Sequence, residues 1–347
     1  MTAARQAAAL SILAVAAICQ ASGAAERPRQ TASLTYTTTI PGAPTGLTLE
    51  VKFQNPDDPA LKPHSAATMV VHRAPGGVID TTMPAQCRAS NAELMARGPE
   101  ACPPESKVGT AVIVSDTGSA GPFPRYSTTH VTDFNNQDEI VAVGENEDLP
   151  LRPVDRTRIE GNKTTTNFPT LPGQPPPDPY TAMKTIQLMF PPYIRDGRAY
   201  NRTPPTCPPV GYWTTRLEFT YRDGITETVE SRSPCARAKL RIGHRDVVAR
   251  RRATVVELRC AGPRGTRCSG SLTLEATPYD TRLRPAGRGE AQPVQFALEA
   301  GRKQRIRAPL PARTAAAITR RGKAVVRAVA RLEGGGTESR LLSVFSR

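Results

Sequence analysis

The sequence predicts a mostly β protein: two β-sandwich-like domains, the second immunoglobulin-like, with short helices confined to loops. Three observations lead there. Apolar and polar residues alternate with a period of two over many short runs bounded by Pro, Gly, Asn and Asp. No helical period persists beyond about three turns. Of seven cysteines, the six beyond residue 25 fall into three local pairs, the usual staples of a loop-rich exported chain.

Residues 1–25 read as a Sec signal peptide. Arg5 supplies the positive start, Ala7 to Ile18 an apolar stretch too short to span a bilayer, and Ser22-Gly23-Ala24 the small residues of a cleavage site. Cys19 lies in this leader, but Ile18 occupies the place where a lipid-attachment motif needs a small residue. No later segment is apolar enough to span a membrane as a helix. The expected location is therefore extracellular or cell-wall associated.

Residues 26–236 form the expected N-terminal domain. Strands are predicted at 31–40, 46–53 and 68–73. Next comes "CRASNAELMARGPEACPPESKVGTAVIVSD", Cys87 to Asp116. Ser90 and Glu93 have capping-box spacing, helix formers run from Asn91 to Arg97, and Gly98-Pro99 ends the run. Two helical turns are marginal alone, so a Cys87–Cys102 bridge is expected to staple them, followed by a strand at 108–114. Residues 149–180, with "LPGQPPPDPY", are predicted to be a Pro-rich loop. Strands resume at 183–190, and "GYWTTRLEFTYRDGITETVES" reads as a hairpin turning at Asp223-Gly224. Cys207 and Cys235 would close its base, and Trp213 is expected in the core.

Residues 237–347 form the expected second domain. Seven short strands fit at 239–243, 253–260, 268–276, 294–298, 304–308, 324–332 and 339–345, with a helix at 312–321 ended by Gly322. Cys260 and Cys268 flank the loop "AGPRGTR" as the third pair. No pair has the spacing of a zinc knuckle, and none has a histidine to complete one.

The runs "CRASNAELMARGPEACPPESKVGT" and "TPPTCPPVGYWTTRLEFTYRDG…SRSPC" resemble uncharacterised exported β-rich proteins of high-GC actinobacteria. The tail from "VVELRCAGPRGTRCSGSLTLEA" to "RRGKAVVRAVARL" is similar to a basic immunoglobulin-like module appended to them. The resemblance implies a fold and export. It carries over no catalytic residue.

Charge narrows the function. Residues 237–347 hold 25 Lys+Arg against 8 Asp+Glu, whereas residues 26–236 hold 20 against 23. Arg250, Arg251 and Arg252 precede one strand, and Arg302, Lys303, Arg305 and Arg307 crowd another. These seven are the candidate polyanion-binding residues, and an anionic cell-wall polymer such as teichoic material is the expected partner. Intracellular nucleic acid is not expected, since export removes the chain from it and the basic part offers only Tyr279, Phe296 and Phe345 for stacking.

No catalytic residue is assigned. Asp116-Thr117-Gly118-Ser119 resembles an aspartic-protease loop, but that chemistry needs two such loops and the chain has one. His64, His72, His130 and His244 form no metal motif. The acidic run with Glu145, Glu147, Asp148 and Asp155 lacks the spacing of a calcium loop. No cofactor is predicted, since neither a phosphate-cradling loop nor a dinucleotide fingerprint is present. The expected role is a non-catalytic binding or structural protein of the envelope or extracellular space, and the alternative is an extracellular hydrolase acting on envelope or extracellular polymers.

Overall fold

The computed structural model describes residues 27–118, 124–243, 245–277, 291–333 and 335–346. The expected leader with Cys19 lies outside the described residues, as do Ser119, His244 and Tyr279.

The first part contributes β1 (Gln30–Tyr36), β2 (Leu47–Phe53), β3 (Ala66–His72), β4 (Val78–Ile79), α1 (Asn91–Arg97), β5 (Lys107–Asp116), β6 (Tyr126–Asn136) and β7 (Glu139–Asn146). It continues with β8 (Val154–Glu160), β9 (Lys163–Asn167), β10 (Ala182–Phe190), β11 (Ile194–Arg195), β12 (Arg198–Ala199), β13 (Asn201–Arg202), β14 (Tyr212–Tyr221) and β15 (Thr226–Pro234). Eleven of these strands form one sheet in the order β1-β2-β10-β5-β6-β7-β8-β9-β3-β14-β15. The sheet curls until its ends meet. The Leu34 N–H donates to Ser231 Oγ at 2.7 Å, and the Leu34 carbonyl accepts from Ser231 Oγ at 3.0 Å and Ser233 Oγ at 2.6 Å. The inner face thus packs on itself, as the two layers of a sandwich do, around Leu49, Val51, Phe53, Met69, Val71 and Phe219.

Two strands fall where the sequence reads as a Pro-rich loop. Residues 149–180 hold β8 and β9, paired antiparallel between β7 and β3. Their polar, threonine-rich composition hides the alternation, because these strands turn Thr157, Thr164 and Thr166 toward a partly polar interior. The remaining Pro-rich stretch is anchored. The buried Lys62 Nζ donates to the carbonyls of Asp178 at 2.6 Å and Tyr180 at 2.5 Å, and Asp178 accepts from Ser65 N–H at 3.0 Å.

The stapled helix lies on the outside. Ser90 and Glu93 cap α1 reciprocally, and Gly98 ends it at φ 70°. The Cys87–Cys102 disulfide and Leu94 pack on Phe134, Val141 and Val143, which β6 and β7 turn outward. The other disulfides join Cys207–Cys235 and Cys260–Cys268. Trp213 is buried. Its indole N–H donates to the Thr206 carbonyl at 2.7 Å, and its ring meets Tyr36 edge-on at 5.5 Å.

The second part contributes β16 (Lys239–Ile242), β17 (Asp246–Arg250), β18 (Ala253–Ala261), β19 (Arg267–Ala276), β20 (Val294–Glu299), β21 (Lys303–Pro309), α2 (Ala312–Arg321), β22 (Lys323–Leu332) and β23 (Thr337–Ser346). The sequence reading did not include β17. The chain leaves β16 on one side of β18 and re-enters as β17, parallel to β23. One layer is thus β16-β18-β21 and the other β17-β23-β22-β19-β20, with Leu258, Leu272, Val326, Ile306 and Leu342 between them. This is a sandwich of immunoglobulin type. No helix among the described residues is long and apolar enough to cross a membrane.

Leu94 is fully buried while Met95 is 55% exposed. Leu94→Ala is therefore expected to destabilise the protein by about 3 kcal/mol, and Met95→Ala by less than about 0.5 kcal/mol. Urea denaturation of the two variants measures the difference, and equal effects would mean that α1 does not pack on the sheet.

Candidate functional site

Two places concentrate charge against local physical preference: an outer face of the second sandwich and the interior of the curled sheet.

On the outer face, β16, β18 and β21 set Arg241, Arg259 and Lys303 directly abreast. Neighbouring strands lie about 4.8 Å apart, and like charges directly opposite one another destabilise a sheet. All three side chains are exposed. One row further along, Arg305 faces Glu257, and beyond it Arg307 faces Val255. Glu257 lies within this patch. It accepts from Arg259 Nε at 2.8 Å and lies 3.9 Å from Arg305 Nε.

Arg250, Arg251 and Arg252 extend the patch. The register Ala249↔Thr254 and Arg250↔Ala253 leaves Arg251 and Arg252 as a two-residue hairpin turn with φ 48° and 61°. Such a turn is strongly biased to Asn-Gly, because left-handed backbone crowds any Cβ. The Arg252 carbonyl accepts from Leu310 N–H at 2.8 Å, which fixes the turn beside the end of β21. Arg302 opens the other end of that strand, where its carbonyl accepts from Cys260 N–H at 3.1 Å. Lys303, Arg305 and Arg307 thus share one face of β21, a strand of roughly 20 Å at about 3.4 Å per residue, with Arg302 just before its start and the Arg250–Arg252 turn beside its far end. The sequence reading missed Arg241 and Arg259. Each alternates with buried neighbours, which was a readable signal, but only the register places them beside Lys303.

Inside the curled sheet, Asp133, Ala142 and Asp155 are register partners across β6, β7 and β8. Gly109 flanks Asp133 on the far side, where a Cβ would come within 2.9 Å of the Phe190 ring. Asp133 lines one cavity, of about 80 Å³, and Asp155 a second, of about 60 Å³. Oδ2 of Asp133 and Oδ1 of Asp155 have no hydrogen-bond partner. Burial, then the charge of Asp155, pushes Asp133 up to about 7, and burial pushes Asp155 up to about 7. Arg73, Tyr200 and Asn201 share the first cavity. Burial holds the Arg73 guanidinium below and the Tyr200 phenol above their ordinary values. None of these residues stands in a recognisable motif. Asp155 was noted only as part of an acidic run, and that run does not converge: Asp155 turns inward while His130 pairs with Glu147 outside at 2.5 Å.

Asp116, the protease-like residue, is fully buried and committed elsewhere. It accepts from Gly118 N–H at 2.9 Å and from Arg125 Nε and Nη2 at 3.3 and 3.2 Å. These bonds hold the carboxylate to Arg125 and to the backbone of its own turn, not to a second acid. Among the described residues no group of three or more His, Cys, Asp or Glu could hold a metal ion.

The buried acids make a pH dependence. The native state keeps both protons to about pH 7, whereas an unfolded chain releases them near pH 4. Unfolding therefore releases protons between these limits, so this contribution is full below about pH 4 and is lost as pH rises to 7. Asp133→Asn is expected to flatten the fall in Tm between pH 5 and 7.5 and to raise Tm at pH 7.5 by several degrees. Identical Tm profiles for the two proteins would show that Asp133 is ionised in the native state.

No family model matches the sequence, and no curated protein matches it. Among solved structures the chain is similar to a backbone pilin of Streptococcus pyogenes, at 8% identity and a TM-score of 0.30, covering 90% of this chain and 51% of that one. It is similar to the major pilin subunit of Bacillus cereus at 11% identity and a TM-score of 0.23, covering 91% and 66%. A tandem repeat from the extending region of a large adhesion protein gives 8% identity and a TM-score of 0.21, covering 90% and 73%. The chain spans about half the length of the first of these.

Proposed function

We propose that this chain is a non-catalytic binding protein of the cell envelope or extracellular space, and that its basic sandwich face holds an anionic wall polymer. The observation that carries the reading is the row Arg241, Arg259 and Lys303, continued by Arg305, Arg307 and the Arg251-Arg252 turn. Each device works against folding. Like charges abreast cost a few tenths to about 1 kcal/mol, and each left-handed arginine costs about 1 kcal/mol or more. A polyanion lying along the stripe turns the same repulsion into attraction, and the release of its counterions drives binding. Three disulfides fit an oxidising compartment.

The hydrolase alternative draws less support. A polymer hydrolase needs a carboxylate pair that a chain can reach. Asp133 and Asp155 face the interior of the curled sheet, and Asp116 is clamped by Arg125.

Sedimentation of the intact protein with isolated cell walls tests the proposal. Binding is expected at about 50 mM salt and to weaken by tenfold or more at about 200 mM. The triple variant Arg241→Ser/Lys303→Ser/Arg307→Ser should lower affinity and make the salt slope shallower by about two to three. Retention of full affinity by that variant would put the partner elsewhere.

The hairpin tip separates stability from binding. Arg251→Asn/Arg252→Gly installs the preferred turn sequence, so it should raise stability by about 1–2 kcal/mol while weakening wall binding. Thermal unfolding and sedimentation on one sample read both. Stronger binding by the stabilised variant would contradict a role for the tip.

A further inference from the structure

Four buried polar side chains surround one cavity and leave atoms without a partner. The cavity, of about 80 Å³, lies at the end of the curled sheet covered by the short β4–β13 ribbon. Arg73, Asp133, Tyr200 and Asn201 line it, and none is more than 4% exposed. Arg73 Nε, Asp133 Oδ2, Tyr200 Oη and Asn201 Oδ1 make no hydrogen bond. Native interiors pair nearly all such atoms; here the Arg73 Nε–H and the Tyr200 hydroxyl are donors facing one space without an acceptor, which marks a site for a ligand that accepts.

The charge balance says what kind of ligand. The Arg73 side chain makes a single hydrogen bond, from Nη2 to the Gly161 carbonyl at 3.0 Å, and no carboxylate among the described residues lies within ion-pair distance of it. A buried guanidinium without an anion is strongly unfavourable. Water would satisfy hydrogen bonds but would leave that charge uncompensated. The other walls are apolar, with Leu47, Leu49, Val71 and Leu188 among them. A water needs about 10–15 Å³ of such volume, so the space takes roughly five to eight non-hydrogen atoms.

We propose that this cavity binds a short aliphatic monocarboxylate, its carboxylate against Arg73 and Tyr200 and its chain of about three to six carbons along Leu47 and Leu188. Asp133, while protonated, adds a donor to the carboxylate, and Asn201 Oδ1 limits how far the head can turn. The ribbon over the cavity is fixed from both sides: β4 and β13 share two residue pairs, the Tyr200 carbonyl accepts from Asp80 N–H at 2.7 Å, and the Asn201 carbonyl accepts from Thr45 N–H at 3.0 Å.

Thermal shift and calorimetry on the intact protein test this with acetate, butyrate, hexanoate and decanoate, and with hexanol and hexylamine as controls of equal chain length. Butyrate and hexanoate are expected to raise Tm in proportion to the logarithm of their concentration, and the other four to have little effect. Tyr200→Phe deletes a hydroxyl that has no partner, so it should fold normally and bind hexanoate about 5–10-fold more weakly; Arg73→Gln should abolish binding. Equal stabilisation by hexanol, no stabilisation by any acid, or unchanged affinity in Tyr200→Phe would overturn the proposal. Should Arg73→Gln fail to fold, the chain-length series and Tyr200→Phe decide it alone.

Discussion

An open sheet of eleven strands has two edges, and the first part of this protein depends on how they meet. β1 and β15 do not extend the backbone ladder into each other. Hydroxyls do the joining: Ser231 and Ser233 satisfy both the N–H and the carbonyl of Leu34. Beside this seam Arg29 reaches Asp223 at 2.6 Å and Glu227 at 3.7 Å. A seam of side chains hides the edge groups that would otherwise recruit another strand. It also sets no strict demand on sheet curvature, so the enclosed space is not filled to the last methyl group. The two cavities and the unpaired polar atoms around the first follow from that closure.

Closure then sorts the helix and the loops by face. Once the inner face is enclosed, the apolar residues that β6 and β7 turn outward need separate cover. The stapled α1 segment gives it through Leu94 and the Cys87–Cys102 disulfide. Asn135 ties the preceding segment over the same strands, donating to the carbonyls of Thr81 at 2.9 Å and Ala85 at 3.1 Å. At the other end the Lys62–Asp178 contact draws the Pro-rich stretch over the second cavity, whose lining includes Pro169 and Leu171. A proline-rich run looks featureless in sequence, and one buried lysine is enough to order it.

What could be read from the sequence followed periodicity. β2, β14 and the strands of the second sandwich other than β17 alternate legibly, and the Ser90–Glu93 box and Gly98 mark α1 to the residue. β6, β8 and β9 were hidden for a shared reason: their inward positions carry Asp133, Asp155, Thr157, Thr164 and Thr166, which register as polar while facing the interior. The pattern fails where the interior departs from an ordinary apolar core. The basic stripe was half legible. Local crowding of Arg250–Arg252 and of Arg302–Arg307 showed in the sequence, but the three-strand row through Arg241 and Arg259 depends on a register that spacing cannot supply.

A basic composition alone would scatter cations over both layers of the second sandwich, and the register separates that case from a built surface. On the β17-β23-β22-β19-β20 layer, Arg327 lies opposite Glu275 and Leu341, Arg331 opposite Ser271 and Thr337, and Lys323 opposite Phe345. No register pair of that layer sets two cations face to face. The other layer sets three abreast and continues them into a turn whose backbone disfavours arginine. The contrast rests on one row, Arg241, Arg259 and Lys303, since the next rows pair Arg305 with Glu257 and Arg307 with Val255. Glu257 offsets part of the repulsion on the basic face, through Arg259 and Arg305, and the rest of that row is the feature on which the proposed contact with an extended anion rests.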